Sequence, residues 1–180
     1  MKWAGFILVL FLSFSAVGQE FLTKNGEVTF LSKASLNEFE GKSTSLNGLI
    51  NLGKNLLDFF IDLNTLKTGI GLRDSHMREN YFETDKYPFA EFTGKIAQVP
   101  DLNAGEKIPV KALGAFKLHG VEKKIEVAGS LIKLQNGKIE LNADFTIKLS
   151  DYKISIPSLI FYELAEEQKV TIKAILTEKK

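Results

Sequence analysis

Strict alternation of apolar and polar side chains dominates this chain and limits what it can fold into. The clearest run is 141–149, in which every second residue is apolar and the residues between are polar or charged. Because successive side chains of a strand point to opposite faces, this pattern predicts a strand with one buried and one wet face. The pattern repeats at 57–63, and weaker copies occupy residues 26–32, 46–52, 89–96, 110–119, 124–133 and 170–177.

Turn-forming residues separate several of these predicted strands. Asn-Gly pairs, which tolerate positive φ, stand in 24–26 and 135–137, and the second pair predicts a hairpin between two strands. Residues 101–105 predict a longer loop. About eight strands with short connections indicate an all-β fold, an antiparallel meander that closes as a barrel or packs as a sandwich. Alternation alone does not decide between the two, because both need one apolar face per strand.

Residues 71–82 break the alternation. In this segment Leu72, His76 and Glu79 are spaced to share one face of a helix. We therefore predict one short helix over about residues 71–82, which would cover one end of the strand assembly.

The first 18 residues have the pattern of a signal peptide. The positive residue Lys2 precedes an apolar run in 6–14, and small residues at 16–18 suit cleavage before Gln19. We expect residues 1–18 to be removed and residues 19–180 to form a single domain. The expected location is periplasmic or secreted.

The predicted mature chain is electrically neutral and has no cysteine. Loss of Lys2 reduces the 23 basic residues of the whole chain to 22, which equals the number of acidic residues. Neutrality disfavours nucleic acid as a partner, because nucleic acids select a basic surface. The lack of cysteine excludes disulfides and thiol chemistry. We expect no stable membrane insertion, because the charged end 177–180 and the helical segment 71–82 do not fit an outer-membrane barrel.

Few residues in the chain suit catalysis. His76 and His119 are its 2 histidines, whereas a catalytic metal site usually takes about three protein ligands. No recognisable metal-ligand, phosphate-loop or nucleophile motif is present. We therefore expect a protein that is not an enzyme, holds no metal and requires no cofactor. A metal-dependent or general acid/base enzyme centred on His76 and His119 remains the alternative.

Three segments of the chain resemble the YceI-like family. The first is 57–92, which includes Leu-Arg-Asp-Ser-His-Met-Arg and a Lys-Tyr-Pro before the next strand. The second is 116–121, Phe-Lys-Leu-His-Gly-Val, and the third is 148–152, Lys-Leu-Ser-Asp-Tyr. Members of that family are secreted bacterial proteins whose lipocalin-like barrel holds long isoprenoid lipids.

The resemblance implies an antiparallel eight-stranded lipocalin-like barrel around an elongated apolar channel. At this strand number the interior is either filled by side chains or left open for one ligand. Composition alone favours a filled core, so the open channel is implied by the resemblance. The side chains expected to line it are Phe30, Phe59, Ile61, Phe92, Phe116, Leu118, Phe145 and Ile147. The polar residues expected at its mouth, against a ligand head group, are Arg73, Asp74, His76 and His119.

On this resemblance, the chain is an exported binding protein for a long-chain isoprenoid or related amphiphilic lipid. A polyprenyl chain, a quinone tail and a fatty-acid-like molecule all fit the expectation, with carriage or storage as the role. The sequence leaves open whether two copies of the protein form a homodimer. Two departures from the family pattern lie where a ligand mouth is expected: Lys153 stands where the family usually has glycine, and residues 30–34 lack the family's histidine.

Overall fold

The computed structural model describes residues 19–156 and 164–179. The predicted signal peptide, residues 1–18, lies outside this range. Long strands make up most of the described chain. They are β1 (Glu20–Lys33), β2 (Glu38–Asn51), β3 (Leu56–Asp62), β4 (Phe89–Ile96), β5 (Lys107–Leu118), β6 (Val121–Lys133), β7 (Ile139–Lys148) and β8 (Glu167–Glu178).

The strands form one closed barrel. Each strand pairs antiparallel with the next along the chain, and β1 pairs with β8 to complete the ring. The fold is therefore an antiparallel eight-stranded, lipocalin-like barrel, which confirms the predicted fold class. Closure also decides between the barrel and the sandwich that the alternation had left open.

The alternating pattern places side chains as the sequence predicts. In β7 the apolar side chains of Ala143 and Ile147 are buried inside the barrel, while the intervening Asp144 and Thr146 are exposed. The same order holds along β3, where Leu57, Phe59 and Ile61 are buried and their neighbours are not. Hydrophobic burial of one face per strand therefore fixes which way each strand faces.

The Asn-Gly pair at Asn25–Gly26 is not a turn, contrary to the prediction. It lies inside β1, which begins six residues earlier than the alternation indicated, and the pairing with β2 shifts register on both sides of Gly26. The pair thus marks a strand irregularity. The second Asn-Gly pair does make the predicted hairpin, between β6 and β7, with Gly137 at φ 79°.

The predicted helix is present at 71–81. It consists of a short α-helix, α1 (Gly71–His76), which continues into a π-helical turn, Met77–Tyr81. Asp74 and Met77 are its buried residues. Among the described residues, no helix has the length and hydrophobicity needed to cross a membrane.

The two ends of the barrel differ. One end carries the connections 34–37, 63–88 and 119–120 and the described residues 149–156 and 164–166, including α1, and is called the open end below. The opposite end carries both ends of the described chain and is filled by Phe21, Ile139 and Leu176, each 2% exposed or less. Ile139 and Leu176 face each other across β7 and β8. Among the described residues, the barrel interior is therefore closed by side chains at this end.

Candidate functional site

A cavity of about 420 Å³ occupies the barrel interior. This is within the range of about 300–1,000 Å³ that small-molecule sites commonly have. The cavity reaches the surface at the open end, because Ile70 and Leu72 line it and are 50% and 68% exposed. All eight side chains expected to line a channel do so: Phe30, Phe59, Ile61, Phe92, Phe116, Leu118, Phe145 and Ile147.

The interior is hollow because several phenyl rings lie along the wall. The ring of Phe59 occupies the space that a β-carbon on Gly48 would need, and these two residues are directly paired between β3 and β2. The ring of Phe30 lies in the same way over Gly41, its partner on β2. Glycine leaves a shallow recess beside each ring, so the ring does not project across the barrel.

Phe92 repeats this arrangement on the neighbouring strand β4, where it is directly paired with Phe59. The tip of its ring lies where β-carbons on the paired Gly94 and Gly114 would stand, 2.9 and 2.6 Å from those positions. Phe116 instead packs edge-to-face against Phe145 and Tyr152, with ring centroids 5.6 Å apart in both pairs. Aromatic side chains therefore form the cavity wall and do not fill the cavity.

Segment 70–82 borders the opening. Met77, Tyr81 and Phe82 line the cavity from the π-helical turn and the residue after it. Burial raises the pKa of the Tyr81 phenol above its ordinary value of 10.0. The phenol therefore stays neutral at physiological pH, which suits an apolar site.

Arg73 and His76 are the two predicted mouth residues that line the cavity. The Arg73 guanidinium carbon lies 4.1 Å from the centroid of the Phe39 ring, a cation–π contact that joins α1 to the start of β2. Within the described ranges, Arg73 has no carboxylate partner at ion-pair distance. An arginine and a histidine thus stand at the entrance to a mostly apolar cavity.

Asp74 does not line the cavity. It is 7% exposed, and its Oδ1 accepts hydrogen bonds from the backbone N–H and the hydroxyl of Thr68, both at 2.7 Å. Burial alone raises the pKa of Asp74, but the two Thr68 hydrogen bonds, together with the positive charges of Lys67 and Arg78, hold this pKa below its ordinary value of 3.8. Asp74 therefore fixes the chain ahead of α1.

His119 is also turned away from the cavity lining. Its Nδ1 lies 3.0 Å from the carbonyl oxygen of Tyr152 and its Nε2 lies 2.8 Å from Oε2 of Glu83. The Tyr87 ring packs edge-on against the imidazole, with centroids 4.9 Å apart. Hydrogen bonds from Lys86 and then from His119 hold the pKa of Glu83 below its ordinary value of 4.5. His119 therefore joins three connections at the open end.

A family model described as "YceI-like domain" matches residues 14–176. The chain belongs to the YceI-like family. A comparison of the sequence with curated proteins found no match.

Solved structures show the same fold for the YceI-like chain. A polyisoprenoid-binding domain from Saccharophagus degradans is 23% identical, with a TM-score of 0.79 over 90% of this chain and 99% of that one. BcnA from Burkholderia cenocepacia is 16% identical, with a TM-score of 0.65 over 84% and 96%. A YCEI protein from Campylobacter jejuni is 21% identical, with a TM-score of 0.62 over 100% and 99%.

The alternative of a metal-dependent or acid/base enzyme gains no support from the site. Either form requires His76 and His119 to lie close together, and the metal-dependent form needs at least one more ligand. The part of the YceI-like chain that the structure describes contains no group of three or more His, Cys, Asp or Glu side chains able to hold a metal. His119 is instead engaged with Glu83 and Tyr152.

Sequence reasoning missed Gln168, one of the polar residues that line the cavity. It lies on β8 in phase with the inward-facing Val170 and Ile172, and it lines the cavity near the open end. A glutamine in the apolar phase of a strand is the signal that could have identified it. Only 4% of this residue is exposed.

Proposed function

We propose that this YceI-like protein binds a long-chain isoprenoid or related amphiphilic lipid in its barrel cavity. The observation that carries the proposal is the cavity itself, which is apolar along its length, closed at one end and open at the other. A ligand with one long apolar chain and one polar end matches this shape. Arg73 and His76 are the side chains that its polar end would meet at the opening.

The fold relatives support the same class of ligand. The Saccharophagus degradans structure with the same fold is described as a polyisoprenoid-binding domain. A polyprenyl chain, a quinone tail and a fatty-acid-like molecule are the members of this class that we propose. Binding needs no cofactor and no catalytic step.

The energetics of such binding favour carriage or storage. Each five-carbon isoprene unit removed from water contributes on the order of 4 kcal/mol, at about 0.8 kcal/mol per carbon. A bilayer offers a similar gain, so transfer of the lipid between membrane and barrel is close to neutral. Together with the signal-like residues 1–18, this supports a role in which the protein carries or stores a lipid in a periplasmic or secreted setting.

Native mass spectrometry of the purified protein tests the proposal. We expect the detergent-free protein to release a long-chain lipid, or to gain thermal stability on addition of a polyprenyl compound, because a ligand that binds the folded state alone stabilises it. A protein that carries no lipid and shows no such gain would contradict lipid binding.

A pair of matched variants locates the ligand. Ala143 lines the cavity on β7, whereas Ala128 is exposed on the outer face of β6. The A143F variant fills the cavity with a phenyl ring and should lose lipid while it remains folded. The A128F variant makes the same chemical change outside and should retain lipid. Equal lipid content in both variants would place the ligand elsewhere.

A further inference from the structure

The barrel cavity ends at a floor of tightly packed side chains, toward the end opposite the open end. On β6, Val127 lines the cavity and is 9% exposed, whereas Leu131, four residues further along the strand, also lines it and is 1% exposed. Ile50 on β2 lines the cavity with the same low exposure of 1%. The hollow therefore extends past Val127 and stops at Leu131 and Ile50.

A second layer of side chains lies behind this floor. Phe21 is directly paired with Ile50, and Ile139 is directly paired with Leu176. These residues belong to the buried core but do not line the cavity. A ligand chain that enters from the open end therefore meets its limit at Leu131 and Ile50.

The depth of the cavity follows from the strands that form its wall. On β5 the lining residues extend from Val110, near the floor, to Leu118, which precedes the connection 119–120 at the open end. Eight residue steps of about 3.3 Å, at a strand tilt of about 40°, give a depth of about 20 Å along the barrel axis. An extended isoprene unit advances about 5 Å, because its four backbone bonds of about 1.5 Å form a zigzag. The depth therefore fits about four isoprene units.

The volume of the cavity gives the same length. A hydrocarbon chain about 4 Å thick that advances about 1.25 Å per carbon fills roughly 16 Å³ per carbon. At the packing density of about 0.75 that protein interiors have, a cavity of about 420 Å³ holds about 20 carbons. Twenty carbons make four isoprene units, so depth and volume agree.

We infer that the barrel accepts about four isoprene units, or about 20 carbons, and that Leu131 and Ile50 set this limit. The inference rests on the proposed lipid-binding function and narrows its ligand class by chain length. A longer chain must leave its excess units at the opening, in contact with water. Each such unit loses the burial that a bilayer provides. Uptake from a membrane should therefore fall sharply beyond this length.

Uptake of prenyl alcohols from vesicles tests the inference. Phosphatidylcholine vesicles carry equal amounts of the 10-, 15-, 20-, 25- and 30-carbon alcohols, and lipid-free protein is incubated with them, separated by centrifugation and extracted. Mass spectrometry quantifies the alcohols that the protein has bound. We expect comparable uptake up to 20 carbons, because barrel and bilayer bury these chains equally. Uptake of the 25-carbon alcohol should be at least about tenfold lower than that of the 20-carbon alcohol, because one unit remains in water.

Variants that change the space above the floor should move the limit. I50A/L131A removes six side-chain carbons from the floor and makes room for about one more isoprene unit, so it should take up the 25-carbon alcohol as readily as the 20-carbon alcohol. V127F adds four carbons inside the cavity. It should lower uptake of the 20-carbon alcohol at least about tenfold relative to the 15-carbon alcohol.

Substitutions on the outer surface provide matched controls. L113A/I175A makes the same truncations at two exposed residues, and V99F makes the same change as V127F at an exposed residue. Both controls should keep the wild-type limit. Should I50A/L131A not fold, V127F carries the test, because it fills empty space and creates no cavity.

The outcomes separate this inference from the proposed function. If the wild-type protein takes up no alcohol, lipid binding itself fails. If it takes up the 25- and 30-carbon alcohols as readily as the 20-carbon alcohol, lipid binding stands and the length limit is wrong. A V127F variant with the wild-type limit would also overturn the inference, since the space above the floor would then not determine chain length.

Discussion

The phenyl ring of Phe59 lies against the backbone of Gly48 on the adjacent strand, in the space where any other residue would carry its β-carbon. This relationship keeps the ring on the wall of the barrel. The width of the cavity therefore depends on a residue that has no side chain.

The G48A variant should narrow the cavity and weaken the fold. The added methyl group must displace the Phe59 ring toward the barrel axis, because the backbone of β2 is held by its pairing with β3. Overpacking of this kind typically costs about 1–3 kcal/mol of unfolding free energy. Urea denaturation would measure the loss, and binding of prenyl alcohols of increasing bulk would measure the narrowing.

Gly71 provides the control for this substitution. A β-carbon at Gly71 meets no atom within 4 Å, and its φ is not in the left-handed region. The G71A variant should leave both stability and ligand range nearly unchanged. If G48A and G71A behaved alike, contact between the ring and the glycine would not be what sets the cavity width.

The H119N variant should loosen the open end. Asparagine tolerates the φ of 51° at this position but is too short to replace the contacts of the imidazole with both Glu83 and Tyr152. We expect a loss of about 1–3 kcal/mol of unfolding free energy, with faster hydrogen exchange in the segment around Glu83.

His76 serves as the comparison for His119. Its side chain is exposed and makes no hydrogen bond among the described residues. The H76N variant should change the unfolding free energy by less than about 0.5 kcal/mol. Equal losses in H76N and H119N would argue against the bridging role of His119.

Asp74 should make stability depend on acid pH. Because the folded protein lowers the pKa of this carboxyl below 3.8, the folded state binds the proton less readily than the unfolded state. Its contribution is fully present above pH 3.8 and is lost as the pH falls through the folded-state pKa. Urea denaturation near neutral pH and at about pH 3 would measure the effect.

The D74N variant isolates that dependence. Asparagine keeps the oxygen that accepts from Thr68 but has no proton to gain. The loss of unfolding free energy between neutral and acid pH should be smaller in D74N than in the wild-type protein. The exposed Asp101 provides a control, since D101N should keep the wild-type difference. If D74N lost as much unfolding free energy between neutral and acid pH as the wild-type protein, other carboxyl groups would be responsible for the effect.

The K153G variant should stabilise the protein. Lys153 has a φ of 58°, in the left-handed region that glycine occupies without steric cost, and it ends the 3₁₀ turn Leu149–Tyr152. The substitution relieves a clash but gives the unfolded chain more freedom, so the net gain should be about 0.5–1 kcal/mol. By contrast, K153V places a β-branched residue there and should be destabilising. Thermal unfolding would compare the two variants, and a destabilised K153G would show that the lysine side chain itself contributes.

Strand positions and their inner faces could be predicted from sequence because alternation is a local property. The phase of β3 and β7 alone identifies Phe59, Ile61, Phe145 and Ile147 as inward-facing. A second local signal, the Asn-Gly pair, failed at Asn25–Gly26, because such a pair suits a hairpin turn and a strand irregularity equally well. Only the pairing of β1 with both neighbours distinguishes them.

Features of the site that depend on distant pairing could not be predicted. Whether Phe59 fills the barrel or lines it depends on which residue of β2 stands opposite, and that register is set by the whole barrel. The partners of His119 are 36 and 33 residues away along the chain. No spacing rule connects them. Gln168, by contrast, could have been predicted from the sequence, since its phase on β8 places an amide among apolar neighbours.

The pairing of β1 with β8 joins Glu27 to Lys173. Without β8, one edge of β1 and one edge of β7 would have no partner strand, so the ring cannot close until β8 is present. Barrel closure therefore joins distant parts of the chain, so we expect a large entropic barrier from non-local contacts and comparatively slow folding.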